Sequence, residues 1–303
     1  MSRAIQGALV SGAGYLAARK YLRRHLSSRD YQRYQRQNFH GETVSLTGGI
    51  KVAASCLASG LLLVGNPAAQ MGAMLPVAAG ASLGYLDDTR AETPVHQDKK
   101  LGGSPDKNLN KPSLSGDKTD KPVVAKGFHG HLQALAEGEV TTGTLKIVGI
   151  GTGAALGAIG IGRSKGSGLA AWVLDTVLIA GSANLANLFD LRPGRCLKLA
   201  VLLALPLTNS KRVEASLAGG ALATSLLALP ADLGEREMLG DTGANALGAL
   251  LGSAWAQKTG IVGKLLGVLG IVGLTLASEK ISFSQVITNT PGLRAIDNLG
   301  RRS

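Results

Sequence analysis

Long apolar runs broken by short polar stretches set the pattern of this chain. Gly48–Gly65, Ala68–Leu86, Leu145–Gly162, Val213–Leu229 and Ile261–Ala277 are almost free of charge inside each run. A helix needs roughly 20 mostly apolar residues to cross a bilayer, and these runs approach that length. Adding Ala4–Ala18, Gly168–Leu188, Cys196–Leu207 and Ala244–Ala256 gives about nine spans by hydropathy, the first, sixth and eighth being short. The expected fold class is therefore all-α, a polytopic transmembrane helix bundle. Ala4–Ala18 is read as a retained first span, because no basic lead or cleavage site accompanies it.

Threading the chain through these spans with its N-terminus outside gives one consistent side. The first basic loop, Asp87–Gly143, Asp190–Arg195, Asp232–Gly243 and the C-terminal tail all fall inside. Short turns such as Arg163–Gly166, Asn209–Arg212 and Gln257–Gly260 fall outside. The first loop is dense in cations, with Arg19, Lys20, Arg23, Arg24, Arg29, Arg33 and Arg36. That bias marks the cytoplasmic face. It also changes how the formal net charge of +12 reads, since cations beside spans orient the protein and meet anionic lipid rather than nucleic acid.

Composition refines the picture. Among 303 residues there are 42 glycines, and glycine with alanine fills much of each run. Small residues let membrane helices approach closely. The mean hydropathy of +0.17 averages apolar runs with very polar loops. The two cysteines, Cys56 and Cys196, lie in apolar stretches and read as buried thiols. Residues 1–303 are taken as a single integral membrane domain, with Ala91–Lys121 a disordered cytoplasmic insertion rich in Lys, Asp, Pro, Ser and Asn.

Four polar clusters sit where spans are expected to meet the cytoplasm. Gly84-Tyr85-Leu86-Asp87-Asp88 closes the third span, and adjacent carboxylates at a membrane boundary repel unless a cation or proton relieves them. A magnesium ion carrying phosphates would do so; an acidic helix end facing water is the plainer reading. In Asn184-Leu185-Ala186-Asn187-Leu188-Phe189-Asp190, three-residue spacing puts Asn184, Asn187 and Asp190 on one helical face. Those groups suit a nucleotide, a sugar or a metal, or plain hydrogen bonding between helices. In Gly240-Asp241-Thr242-Gly243, glycines admit a close ligand, the following helix N-terminus suits phosphate, and Asp241 is placed to hold magnesium. Asp241 and Thr242 would equally serve as N-caps. The fourth cluster, Lys126-Gly127-Phe128-His129-Gly130-His131 with Thr141, Thr142 and Lys146, offers lysines to neutralise phosphate; its histidines do not make a metal site. Asp175 stands alone inside the fifth span, as a functional acid or a structural partner.

Taken in order, these motifs resemble the polyprenyl-phosphate UDP-N-acetylhexosamine phosphotransferases, the superfamily of MraY and WecA-type enzymes grouped as glycosyltransferase family 4. Phe39-His40-Gly41-Glu42-Thr43-Val44-Ser45-Leu46-Thr47-Gly48-Gly49-Ile50 is similar to the family's segment before the second span, and Asp87-Asp88 to its aspartate pair. Asn184 to Asp190 resembles its Asn-x-x-Asn-x-x-Asp run, and Gly240-Asp241-Thr242-Gly243 its Gly-Asp-x-Gly motif.

The resemblance implies a magnesium-dependent phosphoglycosyl transferase of a cell inner membrane, serving cell-wall (peptidoglycan) or surface-glycan synthesis. Its partners would be a polyprenyl phosphate, a UDP-sugar and the bilayer, with no nucleic acid, and a homodimer is left open. A cytoplasmic active-site cleft would hold Asp87, Asp88, Asp190 and Asp241 as catalytic residues, with Asp241 on Mg2+. Asn184, Asn187, Lys126, Gly240 and Gly243 would bind substrate. The chain departs from the family after Asp190, where it reads Leu191-Arg192-Pro193-Gly194-Arg195, and in its tail, where Ser278–Phe283 carries no histidine and no further span is expected. Two other readings were weighed. A CDP-alcohol phosphatidyltransferase needs a fuller acidic signature than Asp190–Arg195 supplies. A lipid-linked carrier or flippase would gather polar groups at the bilayer midplane, where Asp175 is the one clear charge.

Overall fold

The computed structural model describes residues 1–38, 41–63, 67–90, 142–165 and 168–301. The predicted insertion at 91–121, together with Lys126, His129, His131 and Thr141, lies outside the described residues, as do Phe39 and His40. Each apolar run predicted to span corresponds to a helix: α1 (Arg3–His25), α3 (Thr47–Leu63), α4 (Pro67–Arg90), α5 (Thr142–Lys165), α6 (Leu169–Phe189), α7 (Arg195–Thr208), α8 (Val213–Leu233), α9 (Gly240–Lys258) and α10 (Ile261–Lys280), with Gly168 as the N-cap of α6 and Val64 and Gly65 outside the described residues. The short helices α2 (Ser28–Arg33), α11 (Phe283–Asn289) and α12 (Pro291–Asn298) complete the helical set among the described residues.

The protein is thus predominantly helical, and among the described residues four helical stretches are long and apolar enough to cross a membrane: Gly143–Arg163, Leu169–Phe189, Val213–Leu233 and Ile261–Lys280. The remaining helices fall short by length or composition: α7 has 14 residues, α1 ends in a run of cations, and α9 is built largely of small residues. Sixteen of its nineteen residues are buried, against α3, α4, α6, α7 and α8. A helix enclosed by other helices does not need lipid-facing aliphatics; it needs small surfaces that allow close approach. Gly248 and Gly252 supply them, since a Cβ at either would stand 3 Å or less from α6 backbone. α1 seats on α8 in the same way, Gly7 lying over the Ser216 carbonyl and Gly219 over that of Ala4.

α10 is the opposite case. It packs on α6 and turns Leu265, Leu269, Val272 and Leu276 outward, while its single buried residue is Lys264. The Lys264 ammonium lies 2.7 Å from the Asp175 carboxylate, both side chains being almost wholly buried (3% and 0% exposed). Asp175 therefore has its charge partner on the neighbouring helix. The two charges are buried together between apolar helices, where neither would be tolerable alone.

One element departs from the all-α expectation. Gln35–Gln37 (β1) and Thr43–Ser45 (β2) pair antiparallel, with Gln35 opposite Ser45. Two three-residue strands carry too little alternation to register in hydropathy. Gly41 at φ +79° supports the reversal, and the Asn38 side chain accepts from the Glu42 N–H at 2.9 Å. The pair is extended by a parallel bridge from Ser45 to Glu237: Ser45 N–H donates to the Arg236 carbonyl at 3.1 Å, and Met238 N–H to that of Ser45 at 3.0 Å.

The chain's last residues dock onto the start of α7. Arg195 grips Asp297 bidentately at 2.8 and 3.0 Å, and Arg301 adds a third contact at 3.1 Å. Burial alone would raise the Asp297 carboxyl, but the hydrogen bond and charge of Arg195, with Arg301 and Lys198, hold it below its ordinary value. A depressed folded-state carboxyl stabilises above its unfolded pKa, about 3.9, and loses that contribution as pH falls through the folded value. The melting temperature of Asp297→Asn should therefore lie below that of the parent at neutral pH, with the difference shrinking as pH falls below about 3.9 and through the lower folded-state value. A gap that persists unchanged in acid would contradict this account.

Candidate functional site

The predicted clusters are far apart in sequence, and the fold brings their helix ends together. α4 runs into Asp87-Asp88, α6 into Asp190, and α9 starts at Gly240-Asp241-Thr242, while α5 brings Lys146 up beside them. The β2–α3 segment positions the start of α9 through its backbone. Gly49 N–H donates to the Met238 carbonyl at 3.1 Å, and a Cβ on Gly49 would stand 2.0 Å from the Leu239 carbonyl oxygen. Glycines 48 and 49 thus let the chain lie flat against Met238-Leu239. The Gly240 backbone adopts φ +56°, which turns the chain into α9 without the strain a side chain would add.

Asp88 occupies the end of that helix. Its carboxylate accepts from Asp241 N–H at 3.1 Å, from Thr242 N–H at 2.9 Å and from the Thr242 hydroxyl at 2.6 Å. The expectation that Asp241 or Thr242 caps α9 is corrected here. The N-cap position is Leu239, which has no side-chain acceptor, and the cap comes from α4 instead. The result satisfies orphan amides and places negative charge at the positive end of the helix dipole. Burial pushes the Asp88 carboxyl up, while the Thr242 donors and Lys146 pull it down. Arg36 of β1 donates to the Asp88 carbonyl, tying the hairpin to the same corner.

Asp87 points differently. It is half-buried and lies 3.3 Å from the Lys146 ammonium, which also makes a close ion pair with Asp241. Two carboxylates from separate helices thus share one cation. That donor set fits a magnesium ion, which takes one or two protein carboxylates and completes its shell with phosphate oxygens and water. Among the described residues no three His, Cys, Asp or Glu side chains cluster as a closed metal cage, so the protein's contribution would be this open pair.

Asn184, Asn187 and Asp190 are all half-buried on the last turns of α6. Neither asparagine side chain hydrogen-bonds to another described residue, which leaves both amides available. Burial, followed by the nearby charges of Asp232 and Asp88, pushes the Asp190 carboxyl well above the ordinary range. Gly243 is buried against Gly49 and contributes close packing; its role is at the α3–α9 contact. A large cavity opens at this end of the molecule, about 810 Å³, lined by Arg19, Arg23, Tyr31, Gln35, Lys51 and Glu237 among others. None of the predicted acidic residues lines it.

Several participants were not singled out in sequence. Arg36 was read only as part of a basic loop. Lys51, inside an apolar run, pairs with Glu237 and lies over the Tyr15 ring at 5.6 Å. Asp232 binds the Gly194 N–H and contributes to the field on Asp190. A charge inside an otherwise apolar run is the signal that would have found Lys51. No protein-family model matches the chain, and no curated protein matches it.

The geometry separates the two adjacent aspartates. Asp88→Ala should lower stability by about 1–2 kcal/mol through loss of the cap, with Asp88→Asn keeping part of it. Asp87→Asn should leave stability within about 0.5 kcal/mol of the parent, since its contact is partly exposed. Thermal unfolding of the purified variants in detergent checks both; equal losses would show that the two residues are not so divided.

Proposed function

We propose that this chain is a membrane-embedded phosphoglycosyl transferase that moves a sugar phosphate from a UDP-sugar onto a polyprenyl phosphate at the cytoplasmic face, releasing UMP. The convergence of Asp87, Asp241 and Lys146 from three helices, beside the α9 N-terminus, is the observation that carries the reading. It agrees with the order of the four motifs and their resemblance to the MraY and WecA-type superfamily. On this reading the nine helical runs all span, and the acidic corner opens toward the cytoplasm as a cleft.

The reaction asks for alignment and charge neutralisation more than for covalent catalysis. Lys146 holds Asp87 and Asp241 in register in the resting site, and would turn to phosphate charge once a divalent ion neutralised Asp241. Asp87, with no backbone amide to satisfy, positions or deprotonates the lipid phosphate that attacks the β-phosphorus. Asp88 fixes the start of α9 so that Asp241 stays opposite Asp87. Asn184 and Asn187 offer free amides to the nucleotide or sugar, with Asp190 beside them. Magnesium, when bound at Asp241, would supply the positive charge that the pyrophosphate requires.

The carrier reading loses its main support on the same grounds. Asp175 is neutralised by Lys264, whereas a coupling acid in a transport path has to exchange partners.

The test is transfer of labelled sugar phosphate to lipid in membranes containing the protein, with polyprenyl phosphate, magnesium and a panel of UDP-N-acetyl sugars. Magnesium-dependent labelling with release of UMP is expected, with Asp241→Asn lowering the rate by roughly two orders of magnitude or more. Labelling that survives Asp241→Asn, or no labelling with any donor by a well-folded preparation, would overturn the proposal.

A further inference from the structure

The C-terminal residues, read in sequence only as an inner tail, have an amphipathic organisation that the proposed chemistry does not use. α12 has one buried residue, Asp297, held by Arg195 and Arg301. Lys198 closes the end of the same helix by donating to the carbonyls of Ile296 and Asp297 at 3.1 and 2.7 Å. Arg195 also reaches the Ser284 hydroxyl of α11 at 3.0 Å, and Phe283 stacks on Phe189 with ring centroids 5.3 Å apart. The edge facing the protein is therefore polar and ionic. Leu293 and Ile296, one turn apart, are 45% and 52% exposed, and Leu299 just past the helix is 70% exposed. Arg294 and Asn298 are exposed and lie on a different side, four residues apart.

A helix bearing a docked edge, an uncovered aliphatic stripe and a separate polar stripe has three environments around it. Protein occupies the first and water suits the third. The second is continuous with the outward aliphatic face of α10, which ends at Lys280 and passes directly through Ile281, itself 51% exposed, into α11 and its exposed Val286. The medium that suits Leu269 and Leu276 on α10 thus suits Ile281, Val286, Leu293 and Ile296 at its edge. Lys280 and Arg294 supply exposed cations next to that stripe, as a surface resting on anionic headgroups requires.

We propose that residues 281–301 form an interfacial element lying flat on the bilayer at the end of the bundle that carries the acidic corner, with Leu293, Ile296 and Leu299 in the boundary between headgroups and acyl chains. The Arg195–Asp297 clamp joins it to the bundle. The Leu191–Arg195 sequence, a departure from the family pattern, provides that clamp, and the Phe189–Phe283 stack ties the element to the helix end that carries Asp190.

The inference rests on the membrane reading given above, and the test separates the two. Single-cysteine variants Ile296→Cys, Asn298→Cys and Leu269→Cys of the full chain carry an environment-sensitive fluorophore. They are reconstituted into phosphatidylcholine–phosphatidylglycerol vesicles containing, in separate preparations, a lipid with a doxyl group high on its acyl chain and one with the doxyl group near the chain end, the first reporting on the boundary and the second on the bilayer centre. Both native cysteines are buried, and the unsubstituted chain sets the labelling background. Expected are blue-shifted emission and lipid quenching at Ile296→Cys, strong quenching at Leu269→Cys on α10, and quenching at Asn298→Cys only by a water-soluble quencher. If Leu269→Cys is quenched by lipid while Ile296→Cys behaves like Asn298→Cys, the membrane reading stands and the interfacial element is refuted. If Leu269→Cys is not quenched by lipid either, both are refuted.

Discussion

The meeting of the Asp88 carboxylate with the first amides of α9 is the contact on which the rest of the arrangement turns. α9 is the helix that the others surround, and a buried helix N-terminus leaves amide donors that must find acceptors. No side chain at Leu239 can supply one. Asp88 reaches across from α4 and takes two amides and a hydroxyl, so the relative height of α4 and α9 is set by hydrogen-bond geometry rather than by aliphatic packing, which is tolerant of sliding. Gly84 and Gly80 make the reach feasible. A Cβ on Gly84 would stand 2.4 Å from Asp241 backbone atoms, and one on Gly80 would stand 3.1 Å from Asn245. Once that height is set, Asp87 must face α5 and Lys146 rather than α9.

The interior obeys two different economies of polarity. Where helices are enclosed by helices, small residues and hydroxyls carry the contacts: Ser55 donates to the Ser11 carbonyl at 2.7 Å and lies 2.6 Å from the Thr224 hydroxyl, joining α1, α3 and α8. Where a helix is peripheral, the polar contact is concentrated in one place, as at Asp175–Lys264. Replacing one member of such a pair leaves an uncompensated charge, whereas replacing both with aliphatics is often tolerated. Asp175 is thus explained by helix association between α6 and α10, and the corner at the other end of α6 is left as the place where polar groups are unspent on structure. Asn184 and Asn187 are the clearest instances, half-buried amides with no described partner.

The helices were legible in sequence because long charge-free runs report on helix existence whatever surrounds them. Which of those helices meets lipid was less legible. Hydropathy reads Ile261–Ala277 and Ala244–Ala256 as two spans of unequal quality, while the structure gives them opposite surroundings, one peripheral and one enclosed. The acidic motifs were legible as a set, since alternation of sides put their helix ends together before any coordinates did. Their division of labour was not. Adjacent aspartates look equivalent in sequence, and only the position of the α9 amides tells Asp88 from Asp87. The β1–β2 pair and its bridge to Glu237 were invisible because strand periodicity needs more than three residues to show. Lys126 falls outside the described residues, so its place relative to Asp88 rests on the sequence.

The charge balance at the corner favours a cation-assisted reaction over a purely protein-based one. Asp87, Asp88, Asp190 and Asp241 face one another across short helix ends, with Lys146 the cation in direct contact with two of them. Asp88 is relieved by helix amides, and Asp190 responds to its surroundings with a carboxyl pushed well above the usual range. Such a site repels a pyrophosphate as it stands. Lys146 cannot both hold Asp87 to Asp241 and neutralise an incoming diphosphate, because its three donors point from a single nitrogen. A divalent ion held at Asp241 would supply the missing positive charge and leave Lys146 to turn toward substrate. The excess of carboxylates at this corner thus supports the proposed magnesium dependence, beside the family resemblance.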